Sequence, residues 1–143
     1  MTHAPADVLR WLLIELGAGT DPDANGAWPI FHSSEPGAPD NCITTYDTEG
    51  TDDGRSMPTG EAMGHDGFQV RVRSTTPKVG WAKASEIQDL LAETVYQDAV
   101  VVEGSNYLVQ CAAKIGRVIP LGKDPTSKRS LFTLNATLSV KQL

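Results

Sequence analysis

The residues most suited to chemistry in this chain are three histidines, two cysteines and an acidic run, and their spacing favours no common catalytic or metal site. His3, His32 and His65 lie far apart, whereas zinc ligands usually occur in pairs a few residues apart. Cys42 has no basic neighbour in sequence that would lower the pKa of its thiol. A metal or nucleophile site would therefore need a tertiary arrangement that the sequence does not indicate.

The acidic run at residues 47–54 superficially suggests a calcium-binding loop. Thr51 stands at the third ligand position, Asp53 comes one residue before Gly54, and the distal glutamate is missing. A charged, solvated turn fits this pattern better. The chain also has no Gly-Lys-Ser/Thr phosphate loop, no G-x-G-x-x-G after a strand and no G-x-S-x-G elbow. We therefore predict no catalytic residue, no cofactor and no metal, and expect that the protein is not an enzyme.

Two arginines offer a different kind of site. Arg71 and Arg73 share one face of a predicted strand and could join Lys114 or Arg117 in a basic patch. Such residues also commonly form the solvated side of a sheet, or pair with carboxylates across a protein interface.

Length and composition suit a single domain over residues 1–143, since 143 residues with 40% hydrophobic content can build one ordinary core. The net charge of −6 argues against wrapping around nucleic acid, although a channel through which DNA slides is compatible with few phosphate contacts. The start of the chain has no basic leader, and Glu15 ends its first apolar run. We expect a soluble protein made in a cytoplasm, with no membrane partner, and with Cys42 and Cys111 buried as small apolar residues.

The elements that must position any site begin with the last predicted strand. Over residues 130–140 apolar side chains alternate with mostly polar ones, which predicts a strand with one buried face. The buried face would carry Phe132, Leu134, Ala136, Leu138 and Val140. The polar face has no nucleophile, base or metal ligand, so this strand indicates assembly more than catalysis.

Two helices are predicted. The first follows Pro5 and carries a leucine-rich stripe, while Trp11 and Ile14 fall outside that stripe. A helix apolar over so much of its circumference indicates a second packing partner, either another subunit or another part of its own domain. The second helix opens at Thr76 and Pro77 and would turn Ala84, Ile87 and Leu91 inward.

Strands are predicted at residues 28–32, 41–47, 68–73 and 107–119 in addition to the closing strand. Residues 48–66 read as a long acidic loop, and a loop of that length is usually functional or mobile. Residues 120–128 read as a polar turn. The fold class is therefore α+β, with a largely antiparallel sheet of four to five strands, two helices packed on one face, and the order α-β-β-β-α-β-β.

Three segments carry a resemblance to a known family. They are P-D-N-C-I-T-T-Y-D-T at residues 39–48, Q-V-R-V-R at 69–73 before the second helix, and R-S-L-F-T-L-N at 129–135. With the leucine-rich first helix and P-L-G-K-D at 120–124, the chain resembles the minor capsid or tail terminator proteins of long-tailed bacteriophages over nearly its whole length. The length and acidity of residues 48–66 depart from that family pattern.

The resemblance implies a structural virion protein at the head-proximal end of the tail. Such proteins form a homo-hexameric ring that caps the tail tube, ends its polymerisation and joins the tail to the head connector. The implied partners are further copies of the chain, the tail tube protein and the head connector protein, with genome DNA passing through the ring without sequence-specific binding. Alternatives are another head–tail joining or head completion protein and, less favoured, a small enzyme.

A head-to-tail ring needs two different contact patches on each subunit. We expect Trp11 and Ile14 to belong to one patch, and residues 48–66 to contact the tube or connector. The full set of expected interface residues is Trp11, Ile14, Glu49, Asp52, Asp53, Arg55, Met57, Met63, Arg71 and Arg73.

Overall fold

A computed structural model describes residues 2–37, 39–55, 62–95, 98–110, 114–125 and 128–143, with backbone alone for 51–55, 62–64, 94 and 114. The helices are α1 (Pro5–Glu15) and α2 (Pro77–Asp89), the latter continued by a π-helical segment, Leu90–Thr94. The strands are β1 (Ile30–His32), β2 (Cys42–Arg55), β3 (Ala62–Ser74), β4 (Asp98–Val102), β5 (Ser105–Val109), β6 (Lys114–Ile115), β7 (Ile119–Lys123), β8 (Ser130–Leu138) and β9 (Val140–Gln142). The predicted α+β class, with two helices and mostly antiparallel strands, is confirmed.

The larger sheet has the order β1-β2-β3-β8-β6, and β7 pairs with β8 further along the same edge as β6. Its strands are antiparallel except for β1, which runs parallel to β2. Ile43, Val72 and Phe132 form one cross-strand row, and both helices cover the face that this row occupies. The predicted buried face of the closing strand is confirmed for Phe132, Leu134, Ala136 and Leu138, which are all buried. Thr133, predicted on the polar face, is buried as well, and Val140, predicted on the buried face, lies partly buried in β9 of the smaller sheet.

Helix α1 lies between the two sheets. It packs against β1 and β2 of the larger sheet and against β4 of a smaller sheet with the order β4-β5-β9. Its first turn is held by β2, since the Ala6 amide donates to Asp47 Oδ1 at 2.8 Å and Thr45 Oγ1 donates to the Ala6 carbonyl at 2.9 Å. The broad apolar surface of α1 thus meets a second partner within the chain.

Helix α2 sits close to the larger sheet because it has a glycine at the contact. Thr76 caps its N-terminus by accepting a hydrogen bond from the Val79 amide, which explains the predicted start. A Cβ added at Gly80 would clash with Ser74 Oγ and the Phe132 ring. The Trp81 ring meets Phe132 edge-on, with centroids 6.2 Å apart. Helix α2 and the end of β8 therefore form one tightly packed unit.

Residues 48–66 were predicted to be a loop, and this prediction is wrong for the described part. Residues 48–55 continue β2, residues 62–66 begin β3, and the two pair antiparallel beyond the end of the larger sheet. The register shifts between Thr48 and Thr51, where Gly50 and Gly67 allow a close backbone crossing that a side chain would block. The prediction failed because a bulged hairpin and a loop have similar compositions, rich in glycine and acidic residues.

The second half of the chain contains strands that the sequence did not indicate. Strand β4 pairs with β5 in a hairpin, although no strand was predicted before Gly104. Strand β7 occupies residues 119–123, most of which were predicted to be a turn, because Pro120 and Gly122 are turn residues in most contexts. In the structure Pro120 lies on an edge strand and Gly122 sits beside a bulge with a φ of 83°, two places where these residues are tolerated.

Candidate functional site

The guanidinium of Arg73 binds partners within its own chain. Its guanidinium is nearly buried and donates to the carbonyls of Pro36 at 2.5 Å and Pro39 at 2.6 Å. Glu35 lies 3.9 Å from Arg73 and 3.8 Å from Arg71. These contacts fix the Pro-rich segment after β1 over the polar face of the sheet. The carboxylate partner that the two arginines were expected to find across an interface is present within the subunit.

Cys42 and Asp66 have raised pKa values caused mainly by burial. Burial raises the pKa of the Cys42 thiol to about 11, and the charge of Arg73 offsets only part of this rise. Burial also raises the pKa of Asp66, while a hydrogen bond from the Val140 amide at 3.1 Å acts in the opposite direction. Neither residue lines a described pocket. Their surroundings indicate structural roles, Cys42 in the sheet and Asp66 at the passage from β8 to β9.

The described residues contain no group of three histidine, cysteine, aspartate or glutamate side chains that could hold a metal ion. His3 and His32 have different neighbours: His3 meets Tyr107, with Nδ1 2.7 Å from the hydroxyl, whereas His32 lies beside Asp47. Of the helices in the described ranges, none has the length and apolar character needed to cross a bilayer.

Apart from Arg71 and Arg73, the expected contact residues fall into two groups. Trp11 and Ile14 are partly buried against the core, and the Arg10 guanidinium stacks on the Trp11 ring at 4.7 Å. Glu49 is exposed on β2, and Asp52, Asp53, Arg55 and Met63 lie on the paired strands beyond it. Met57 lies outside the described residues. The structure thus brings the acidic residues onto one two-stranded arm, defined here as residues 46–55 of β2 and 62–67 of β3.

A surface that the sequence did not indicate lies at the opposite edge of the larger sheet. Pro77 and Trp81 of α2 and Pro120 and Phe132 of the sheet line an open groove of about 470 Å³. Trp81 is 48% exposed, and Ile119 and Leu121 on the neighbouring β7 are 47% exposed. This surface, the β7 groove, is largely apolar, and such patches on a protein surface commonly mark contacts with other proteins. The sequence does contain a signal for this surface, the apolar residues 119–121, but the residues around them are typical of turns.

The described geometry therefore offers protein-contact surfaces more than a reaction centre, and comparison with known proteins agrees. A family model for the bacteriophage tail terminator protein matches residues 12–141, which is most of the chain. The chain belongs to the bacteriophage tail terminator family. Among curated proteins none matches it. One solved structure aligns over 97% of this chain and 97% of its own at 14% identity and a TM-score of 0.50, which shows a shared fold.

Membership in the tail terminator family gives the chain a structural role in a phage tail and places it in the virion. Terminators act through contacts with other tail components. The arm and the β7 groove are therefore the candidate contact surfaces of this terminator.

Proposed function

We propose that the protein forms a homo-hexameric ring at the head-proximal end of the tail, where it caps the tail tube, stops its polymerisation and joins it to the head connector. The observation that supports this proposal is the family match over residues 12–141, together with two different candidate contact surfaces on opposite edges of one sheet. A ring built head to tail requires two such different surfaces on every subunit.

The charge of the chain is compatible with DNA passing through the ring. The net charge is −6, and several of the basic side chains are engaged within the subunit. Arg73 holds backbone carbonyls, Arg10 contacts Asp21 at 3.4 Å, and Arg129 contacts Asp40 at 2.7 Å. Each phosphate contact adds a salt-dependent grip on DNA, so a passage with few free basic groups lets DNA slide.

The end of the arm, within the predicted contact segment 48–66, is the part of the subunit that we assign to the tube or the connector. It projects past the larger sheet, since β3 pairs with β8 only from Asp66 onward and the arm strands pair with each other beyond that point. An isolated two-stranded hairpin is only marginally stable. Packing on a partner would order it and lower its free energy.

The test of capping is the length of the tails. In a phage genome from which the gene is removed, tails should grow well beyond their normal length and remain unattached to heads, because nothing stops tube polymerisation. Electron microscopy measures both effects, and supplying the native gene in trans should restore normal tails. Tails of normal length without the protein would rule out the terminator role.

The test of the arm is a deletion designed from its register. Thr51 pairs with His65 and Asp52 with Gly64, so removing residues 53–63 leaves Asp52-Gly64 as a two-residue Asp-Gly turn, which suits a tight hairpin. This variant should fold with unchanged secondary structure by circular dichroism, yet fail to join tails to heads or to cap tubes. Normal infectious particles from the deletion would show that the end of the arm makes no required contact.

A further inference from the structure

Strand β7 is an exposed edge. All five of its residues are exposed, and β8 is the strand that pairs with it on one side. No other described strand covers its outer side. An edge strand with apolar side chains and free backbone donors and acceptors is a template for strand addition by another chain. The β7 groove lies directly beside this edge, so an added strand would also cover Trp81 and Phe132.

The opposite edge of the same sheet is also open. Strand β1 pairs with β2 only from Ile43 to Thr45. From residue 46 to residue 55 no described strand lies on the outer side of β2, and this stretch is longer than β7. The larger sheet therefore carries two unpaired edges that differ in sequence, one on each side.

The directions of these two edges allow them to pair. β2 is antiparallel to β3, β3 to β8, and β8 to β7, so β2 and β7 run in opposite directions. A rotation about an axis parallel to the strands preserves strand direction. A second copy related by such a rotation would therefore present its β2 antiparallel to β7, and repetition of the contact generates a head-to-tail assembly.

The charges at the two edges are complementary. Lys78 and Lys123 line the β7 groove. The open stretch of β2 carries four acidic residues, Asp47, Glu49, Asp52 and Asp53, against one basic residue, Arg55. In a chain whose net charge is −6, a lysine-rimmed apolar groove attracts an acidic strand.

We propose that residues 46–55 of β2 in one copy of the chain add to β7 of the next copy, which covers the β7 groove and continues the larger sheet from subunit to subunit. This inference rests on the proposed ring and specifies the contact that builds it. It differs from the contact assigned above to the end of the arm, because the deletion of residues 53–63 retains most of the pairing stretch.

The decisive experiment places a benzoylphenylalanine photo-cross-linker at Leu121 in tails assembled with the full chain. Irradiation followed by peptide mapping should yield a covalent link from position 121 to residues 46–55. Such a link must join two copies, because β7 and β2 lie on opposite sides of the sheet within one subunit. A cross-linker at Val101, which is 56% exposed on the smaller sheet, is the matched control and should give no link to residues 46–55.

The outcomes separate this inference from the proposed function. If tails contain the protein and end normally but position 121 links to other segments or to nothing, strand addition is wrong while the terminator role stands. If the protein is absent from tails, both proposals fail.

A charge exchange gives a second, independent test on the purified chain. Glu49→Lys removes an acidic group from the β2 edge, and Lys123→Glu removes a lysine from the β7 edge. Each variant alone therefore weakens the attraction between the two edges at every junction and should assemble about tenfold more weakly. In an equal mixture every junction between unlike variants regains an opposite pair, and assembly measured by sedimentation should recover. A mixture no better than either variant alone would contradict a contact between these two strands.

Discussion

At the scale of single residues, Cys42 is protected by its position in the sheet. The thiol is buried, and its pKa is raised to about 11, so almost no thiolate exists at neutral pH. We predict that in a Cys111→Ser background Cys42 does not react with Ellman's reagent in the folded chain at about pH 8. It should react fully after addition of denaturant.

The control for that experiment is Cys42→Ser in the same background, which should give no signal in either state. Rapid reaction of the folded chain would mean that Cys42 is accessible and that its thiolate is stabilised.

Asp66 should make stability depend on pH in a definite direction. Its pKa is raised in the folded chain by burial, so folding favours the protonated form. The stabilisation is complete below the ordinary pKa of an aspartate and is lost as the pH rises through the folded pKa. Asp66→Asn keeps an oxygen that can accept from the Val140 amide but cannot ionise. We predict that this variant gains free energy of unfolding relative to the native chain as the pH rises from about 4 to about 7.

Urea unfolding at several pH values measures this difference. A difference that stays constant with pH, or that changes in favour of the native chain, would show that Asp66 has no raised pKa. Asp23→Asn, in an exposed turn, is the matched control and should follow the native chain.

Residue roles could be predicted from the sequence only where they depend on local pattern. Burial of Cys42 was predicted from its strand-like surroundings and is confirmed, while Cys111 lies outside the described residues. The role of Arg73 could not be predicted, because its partners are carbonyls of a segment more than thirty residues earlier. Such contacts depend on the tertiary path of the chain.

At the scale of elements, the contact between α2 and β8 depends on Gly80. In an exposed helix Gly→Ala is stabilising by about 1 kcal/mol, but here the added Cβ would meet Ser74 and Phe132. We predict that Gly80→Ala instead lowers the free energy of unfolding by about 1–3 kcal/mol, because overpacking outweighs helix propensity. Denaturant unfolding measures the change. Ala82→Gly, at an exposed position two residues later, reports the propensity effect alone; a Gly80→Ala variant as stable as the native chain would show that α2 shifts freely.

Elements with a strong periodic pattern were predicted correctly, and elements at sheet edges were not. The spacing of apolar residues predicts both helices and the closing strand, and the residues at the helix starts support the helices. The arm and β7 carry glycine, proline and charged residues, and this composition resembles that of loops. The candidate contact surfaces lie on these two elements. The sequence predicted residues 48–66 as a contact segment but did not predict the surface at β7.

At the scale of the whole molecule, the α+β class and the tail terminator family were predicted from the sequence and are confirmed. The second sheet was missed, because its strands are short and β9 has only three residues. That sheet changes the interpretation of α1, whose apolar circumference fits between two sheets of the same chain. The assignment of Trp11 and Ile14 to an interface stays a prediction.

A substitution on β7 should impair assembly and leave the stability of the folded subunit nearly unchanged. Leu121 is 47% exposed, so Leu121→Glu should change the melting temperature little, as exposed substitutions usually do. In the assembled ring the same glutamate would face an acidic strand and lose apolar contact. We predict that Leu121→Glu abolishes capping and gives overlong tails, whereas Val101→Glu on the smaller sheet does not. Electron microscopy of tails and thermal unfolding of the purified chains test the two halves of this prediction.

Strand β8 lies between β3 on one side and β6 and β7 on the other. Two helices and seven strands precede it in translation before its pairing with β3 can form. The register joins Asp66 to Leu138, so a nascent chain keeps β3 without its neighbour until nearly the whole polypeptide has left the ribosome. Pairing between such distant segments closes a long loop and slows folding. Until β8 pairs with β3, the sheet has additional unpaired strand edges. The chain is therefore most prone to aggregation and premature association just after synthesis.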